Sequence, residues 1–114
     1  MTIAAILFVL AALGGLTMLV MRLRGMERPP LLLAVGHGLI ALSGVIALGY
    51  AYSQEELPRS AKWALLVFLL AAMGGATLFV GFHLRNRPLP IPFIIGHGLL
   101  AATGLSLLLY AIYG

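Results

Sequence analysis

The sequence predicts an all-α integral membrane protein, a four-helix bundle made of two tandem helical hairpins. Three observations predict it. Of the 114 residues, 62% are hydrophobic and only 9% charged, whereas a water-soluble fold of this size has about a quarter of its residues charged. The apolar residues gather into four runs of about 20 residues, the length a helix needs to cross a hydrocarbon core. Finally, the chain aligns with itself at an offset of 60 residues, 2–54 against 62–114, with nineteen identities and no gap.

The four runs are 3–21, 31–52, 61–82 and 91–113, and their interiors carry no charge. In a bilayer, backbone groups must be paired within the protein, so helices are predicted and an open sheet is not. The first run has no basic segment before it and is followed by Arg22 and Arg24, the pattern of a retained span and not of a cleaved leader. The breaks between runs combine charge with turn residues. "RLRGMERPP" and "HLRNRPLPIP" end in prolines suited to the first turn of the next helix. "SQEELPRS" is the remaining polar connector, the second in chain order.

Charge sets a predicted orientation. Connector one (Arg22, Arg24, Glu27, Arg28) and connector three (Arg85, Arg87) each sum to +2, while connector two (Glu55, Glu56, Arg59, Lys62) sums to zero. The positive-inside rule then puts connectors one and three in the cytoplasm and both termini outside, as in a bacterial inner membrane. Tyr50, Tyr52, Tyr110, Tyr113 and Trp63 collect at the outer interface. The net charge of +4 lies in short flanks and not along a helix face, so a nucleic-acid partner is not expected.

Within the repeat, pairs that low-complexity sequence does not readily produce stand in register: Gly14/Gly74, Gly15/Gly75, Thr17/Thr77, Pro30/Pro90 and the triplets Gly36-His37-Gly38 and Gly96-His97-Gly98. An even number of crossings gives both hairpins the same orientation, so a pseudo-twofold along the membrane normal is expected. Small residues flank each imidazole at helical spacing, Ala34, Ala41 and Gly44 for His37, Ala101 and Gly104 for His97. Such faces turn toward other helices. His37 lies about 10 Å from the cytoplasmic end of its helix, and Gly14 and Gly15 reach nearly the same level.

One plane of the bundle then holds two imidazoles on one diagonal and four glycines on the other. A diagonal of about 11–14 Å suits two imidazoles ligating one metal centre. The expected cofactor is haem b with His37 and His97 as axial ligands. Gly14, Gly15, Gly74 and Gly75 would give clearance for the macrocycle. Arg22, Arg24 and Arg85, with His83 beside them, would lie in reach of its propionates. Thr17, Thr77, Ser43, Thr103 or backbone carbonyls would orient the rings.

This His/Gly pattern resembles that of membrane b-type cytochromes built on four-helix bundles, in which paired histidines hold haem and glycines lie at the porphyrin. The resemblance implies intramembrane electron transfer, with a quinone or a redox-partner membrane subunit as partner. Di-haem members need four ligating histidines, whereas this chain has one matched pair, and His83 aligns with Leu23.

A plainer reading has each imidazole donating to a carbonyl across a helix interface, in a structural or accessory subunit of a larger complex, a homo-oligomer included. Sharper chemistry lacks its residues. There is no cysteine and no aspartate, and Glu27, Glu55 and Glu56 all lie in connectors. A zinc site would need three or four ligands. Hydrolytic and phosphoryl-transfer chemistry is not expected.

Overall fold

The computed structural model describes residues 1–114, all-helical and without strands. Four helices follow one another: α1 (Thr2–Leu23), α2 (Leu31–Gln54), α3 (Arg59–Leu78), which runs on into a π-helical turn (Phe79–His83), and α4 (Ile91–Tyr113). All four, α3 with its π turn included, are long and apolar enough to cross a membrane. Prolines set three of the starts. Pro30, Pro58 and Pro90 are N-cap residues, and Pro92 occupies the first turn of α4, where its missing N–H costs no helical hydrogen bond.

α1 packs on α2 and α3 on α4, with lighter contacts closing the ring from α2 to α3 and from α4 to α1. The diagonals are therefore α1/α3 and α2/α4. The bundle is elongated, 43 × 21 × 18 Å. Most large apolar side chains point outward, Leu32, Ile3 and Leu99 among the most exposed. Small residues fill the inside: Ala4, Ala5, Ala61 and Ala64 are buried beside Leu48 and Leu108.

The tyrosine end of the bundle is closed by aromatic stacking. Phe8 and Phe68 lie face to face across the α1/α3 diagonal, with centroids 3.6 Å apart and planes 6° from parallel. Phe8 occupies the space over Gly44, and Phe68 that over Gly104, where a Cβ would stand 2.9 Å from a ring carbon in each case. No side chain larger than hydrogen fits there.

The arginine end is held differently. Connectors one and three are laced by hydrogen bonds: Leu89 N–H to the Glu27 carbonyl (3.1 Å), Arg22 Nε to the Leu89 carbonyl (2.8 Å), and Arg28 to the Asn86 amide oxygen (2.6 Å). Two positive-φ residues allow these reversals, Gly25 (φ 101°) and Asn86 (φ 56°). Both are types that tolerate the left-handed region. The π turn was not foreseen. In it, the Leu84 N–H reaches back five residues to Phe79 and Arg87 to Phe82, which widens the helix where it enters connector three.

Candidate functional site

Each histidine is seated by the glycine pair of its own hairpin. His37 on α2 lies against Gly14 and Gly15 of α1, and a methyl group at Gly15 would stand 3.1 Å from its Cε1. On the other hairpin His97 lies against Gly74 and Gly75, and a methyl at Gly75 would again stand 3.1 Å from Cε1. The volume freed by the glycines is thus taken up by the imidazoles themselves.

The glycines also open a hydrogen bond. In α1 the Ala11 carbonyl accepts from the N–H four residues on, at Gly15. With no side chain at Gly15, His37 Nδ1 reaches the same oxygen at 2.7 Å. A carbonyl only accepts, so Nδ1 carries the hydrogen and Nε2 keeps its lone pair. On the other hairpin the Ala71 carbonyl stands opposite the His97 ring, but His97 Nδ1 is buried without a hydrogen-bond partner. The expected hydroxyls take no part. Thr17, Thr77, Ser43 and Thr103 each bond the carbonyl four residues back on their own helix.

The two rings meet across the α2/α4 diagonal. Their centroids are 6.2 Å apart and their planes 82° from parallel. From the rings a cavity of about 430 Å³ extends toward the arginine end. Its walls are almost wholly apolar, and Gly15, Gly75, His37 and His97 all line it. The floor is made by Arg22, Pro29, His83 and Leu89, the residues of the laced connectors. On one side the cavity opens between α2 and α3, past exposed Val35, Leu39 and Leu42 facing Ala72 and Ala76.

Of the three arginines expected near the cavity, only Arg22 lines it. Arg24 and Arg85 are exposed on the connectors. Gly14 and Gly74 touch the imidazoles but do not reach the cavity wall. The histidine-flanking glycines behave otherwise: a Cβ at Gly36, Gly38, Gly96 or Gly98 would meet nothing within 4 Å. No three of the His and Glu side chains come together as a metal-ligating cluster.

Three features escaped the sequence reading. Ala11 acts through a backbone carbonyl, which residue type does not reveal. Phe8 and Phe68 are a matched pair at the 60-residue offset, and that match was their only signal. His83 is 7% exposed, the one buried polar side chain, and its Nε2 bonds the Pro29 carbonyl at 2.8 Å.

Comparison with protein families, curated proteins and solved structures finds no match for this chain.

Proposed function

We propose that the chain crosses a membrane four times as two repeated hairpins and binds one haem b between His37 and His97, serving electron transfer within the bilayer. Connectors one and three face the cytoplasm of a bacterial inner membrane in this reading. The partner is a quinone or a redox subunit in the same membrane.

The observation that carries the reading is the imidazole pair. A ligating nitrogen stands about 2 Å from its metal and about 1 Å from its own ring centre, so two rings on opposite sides of one iron have centroids about 6 Å apart. His37 and His97 stand at 6.2 Å. The donor chemistry agrees, because the Ala11 carbonyl occupies Nδ1 of His37 and leaves Nε2 for a metal. A cavity of about 430 Å³ lies in the range of cofactor sites.

Bound there, the haem would supply a one-electron iron couple. The chain does the rest. Ala11 fixes the tautomer of His37 and makes its free nitrogen a better donor. Gly15 and Gly75 hold the rings at one level. The Phe8–Phe68 stack closes the site at the tyrosine end. Arg22, with Nε tied to Leu89, presents a guanidinium from the floor to an anionic group.

One observation favours a second reading, that of an accessory subunit or homo-oligomer. A Cβ at Gly36, Gly96 or Gly98, none of which lines the cavity, would meet nothing within the chain, and small residues let another helix approach closely.

Absorption spectroscopy of the purified protein decides between them. The cytochrome reading expects a Soret band and a sharp reduced α band, both lost in His37→Ala and in His97→Ala. A folded, colourless protein that takes up no added haem refutes it and leaves the accessory reading.

A further inference from the structure

The sequence pattern leaves His83 unexplained: it stands where the first hairpin has Leu23. The structure gives it an unusual place. It is more than nine-tenths buried, it closes the floor of the imidazole cavity, and it also lines a second pocket of about 370 Å³ on the other side of that floor. The second pocket is formed by connector one, with Glu27, Arg28 and Pro29 around it. His83 is the one ionisable side chain common to both spaces.

We propose that His83 is a proton-transfer residue that links the connector-one pocket to the imidazole cavity. Its geometry suits the role. The Pro29 carbonyl holds Nε2 at 2.8 Å and can only accept, so Nε2 carries a hydrogen and Nδ1 is the nitrogen that gains and loses a proton. The Phe79 ring lies 5.5 Å away, 26° from parallel, and steadies the imidazole. His83 is the last residue of the π turn, whose loop holds one more residue than a regular helix.

The transfer is a plain acid–base step. Neutral His83 accepts a proton at Nδ1 from a hydronium ion in the Glu27–Arg28 pocket, leaving water there, becomes imidazolium, and gives the Nδ1 proton to water or a guest in the cavity, regaining its starting form. Histidine is the side chain suited to such exchange near neutral pH. The charges around it are Glu27 and Arg28 of connector one, Arg22 at the end of α1, and Arg85 and Arg87 beyond its own helix; α2 and α4 contribute only His37 and His97 through the cavity.

The relay stands without a cofactor, while the second arm of its test rests on the haem reading. The first arm uses haem-free full-length protein in lipid nanodiscs and follows deuterium exchange at the ring carbon Cε1 of His37 and His97 by mass spectrometry. His83→Gln keeps a donor for the Pro29 carbonyl but cannot carry the proton. Exchange at His37 and His97 is expected to slow at least tenfold in this variant, and in His83→Ala to recover when free imidazole is added. Unchanged exchange in His83→Gln overturns the relay, and so does slowing that imidazole leaves in place. The second arm follows the midpoint potential of haem-loaded protein against pH. The wild-type slope is expected to fall by at least half in His83→Gln with an unaltered Soret band. A slope that does not change overturns coupling of the relay to haem, whereas failure to load haem at all bears on the cofactor and leaves the first arm to judge the relay.

Discussion

Replacing Gly44 by alanine adds a single methyl group, and its cost can be worked from the stack beside it. The new carbon would stand 2.9, 3.0 and 3.1 Å from three carbons of the Phe8 ring, where carbon–carbon contacts settle at about 3.5–4.0 Å. The ring must therefore move by about half an ångström. It has little room to do so, since Phe8 already stacks on Phe68 at 3.6 Å and Phe68 is pressed in the same way over Gly104. Overpacking of this kind costs about 1–3 kcal/mol, against which alanine returns up to about 1 kcal/mol of helix propensity. A net loss of up to about 2 kcal/mol is expected. Gly36→Ala is the control, because its methyl group meets nothing and only the propensity gain applies. Denaturant unfolding in detergent micelles, followed by circular dichroism, should separate the two variants by the overpacking cost alone, about 1–3 kcal/mol, because the propensity gain is common to both. Phe8→Leu in the Gly44→Ala background should recover part of the loss, with a coupling of about 1 kcal/mol or more. If Gly44→Ala is as stable as Gly36→Ala, or its cost persists unchanged beside Leu at position 8, the aromatic closure is wrong.

Two further outcomes follow from the same coordinates. Gly15→Ala puts a methyl group 3.1 Å from His37 Cε1 and disturbs the 2.7 Å bond to Ala11; under the proposed haem reading, losing about 1 kcal/mol there is expected to weaken haem uptake about five- to tenfold. Gly75→Ala makes the same approach but has no Nδ1 bond to lose, so haem titration should show a smaller effect, and equal effects would refute the role given to Ala11. At the other end, the Lys62 ammonium hydrogen-bonded to Glu56 holds that carboxyl below the usual glutamate range. A depressed acid contributes its stability above the unfolded value and loses it as pH falls through the folded one. Both groups are on the surface, so salt should weaken the effect. In Lys62→Gln the Glu56 carboxyl should titrate at the ordinary value by NMR, and an unchanged titration would exclude the pair as the cause.

The helices were legible because nothing in the runs competes with them: continuous apolar length, prolines at the entrances and charge in the gaps agree. Their predicted bounds fall within a few residues of the observed ones, and the differences lie at the fraying ends. The nearness of each histidine to a glycine pair was legible as a match of height along neighbouring helices. What the glycines make room for was not. A sequence marks where a side chain is missing but not which neighbour enters, and here it is the imidazole itself at Gly15 and Phe8 at Gly44. The π turn was equally hidden, since no residue between Phe79 and His83 forbids a regular helix. It leads into the connector that is laced to connector one, a contact between segments some sixty residues apart.

Matched positions and departures from the match do different work in this chain. The matched ones meet matched neighbours: His37 lies on Gly15 as His97 lies on Gly75, and Phe8 fills Gly44 as Phe68 fills Gly104. A strict twofold would also give two equal side openings, α2 to α3 and α4 to α1. The cavity instead draws seven lining residues from α2 and only Ile94 and His97 from α4. The sequence supplies a reason. Ala76 borders the opening on α3, whereas its counterpart on α1 is Leu16, and His83 floors the cavity where the counterpart is Leu23. Leucine at both places would add bulk to one side and remove the buried polar group from the floor. The repeated residues therefore seat the two imidazoles on matched glycines at the centre of the bundle, and the residues that break the repeat decide from which side that centre is reached.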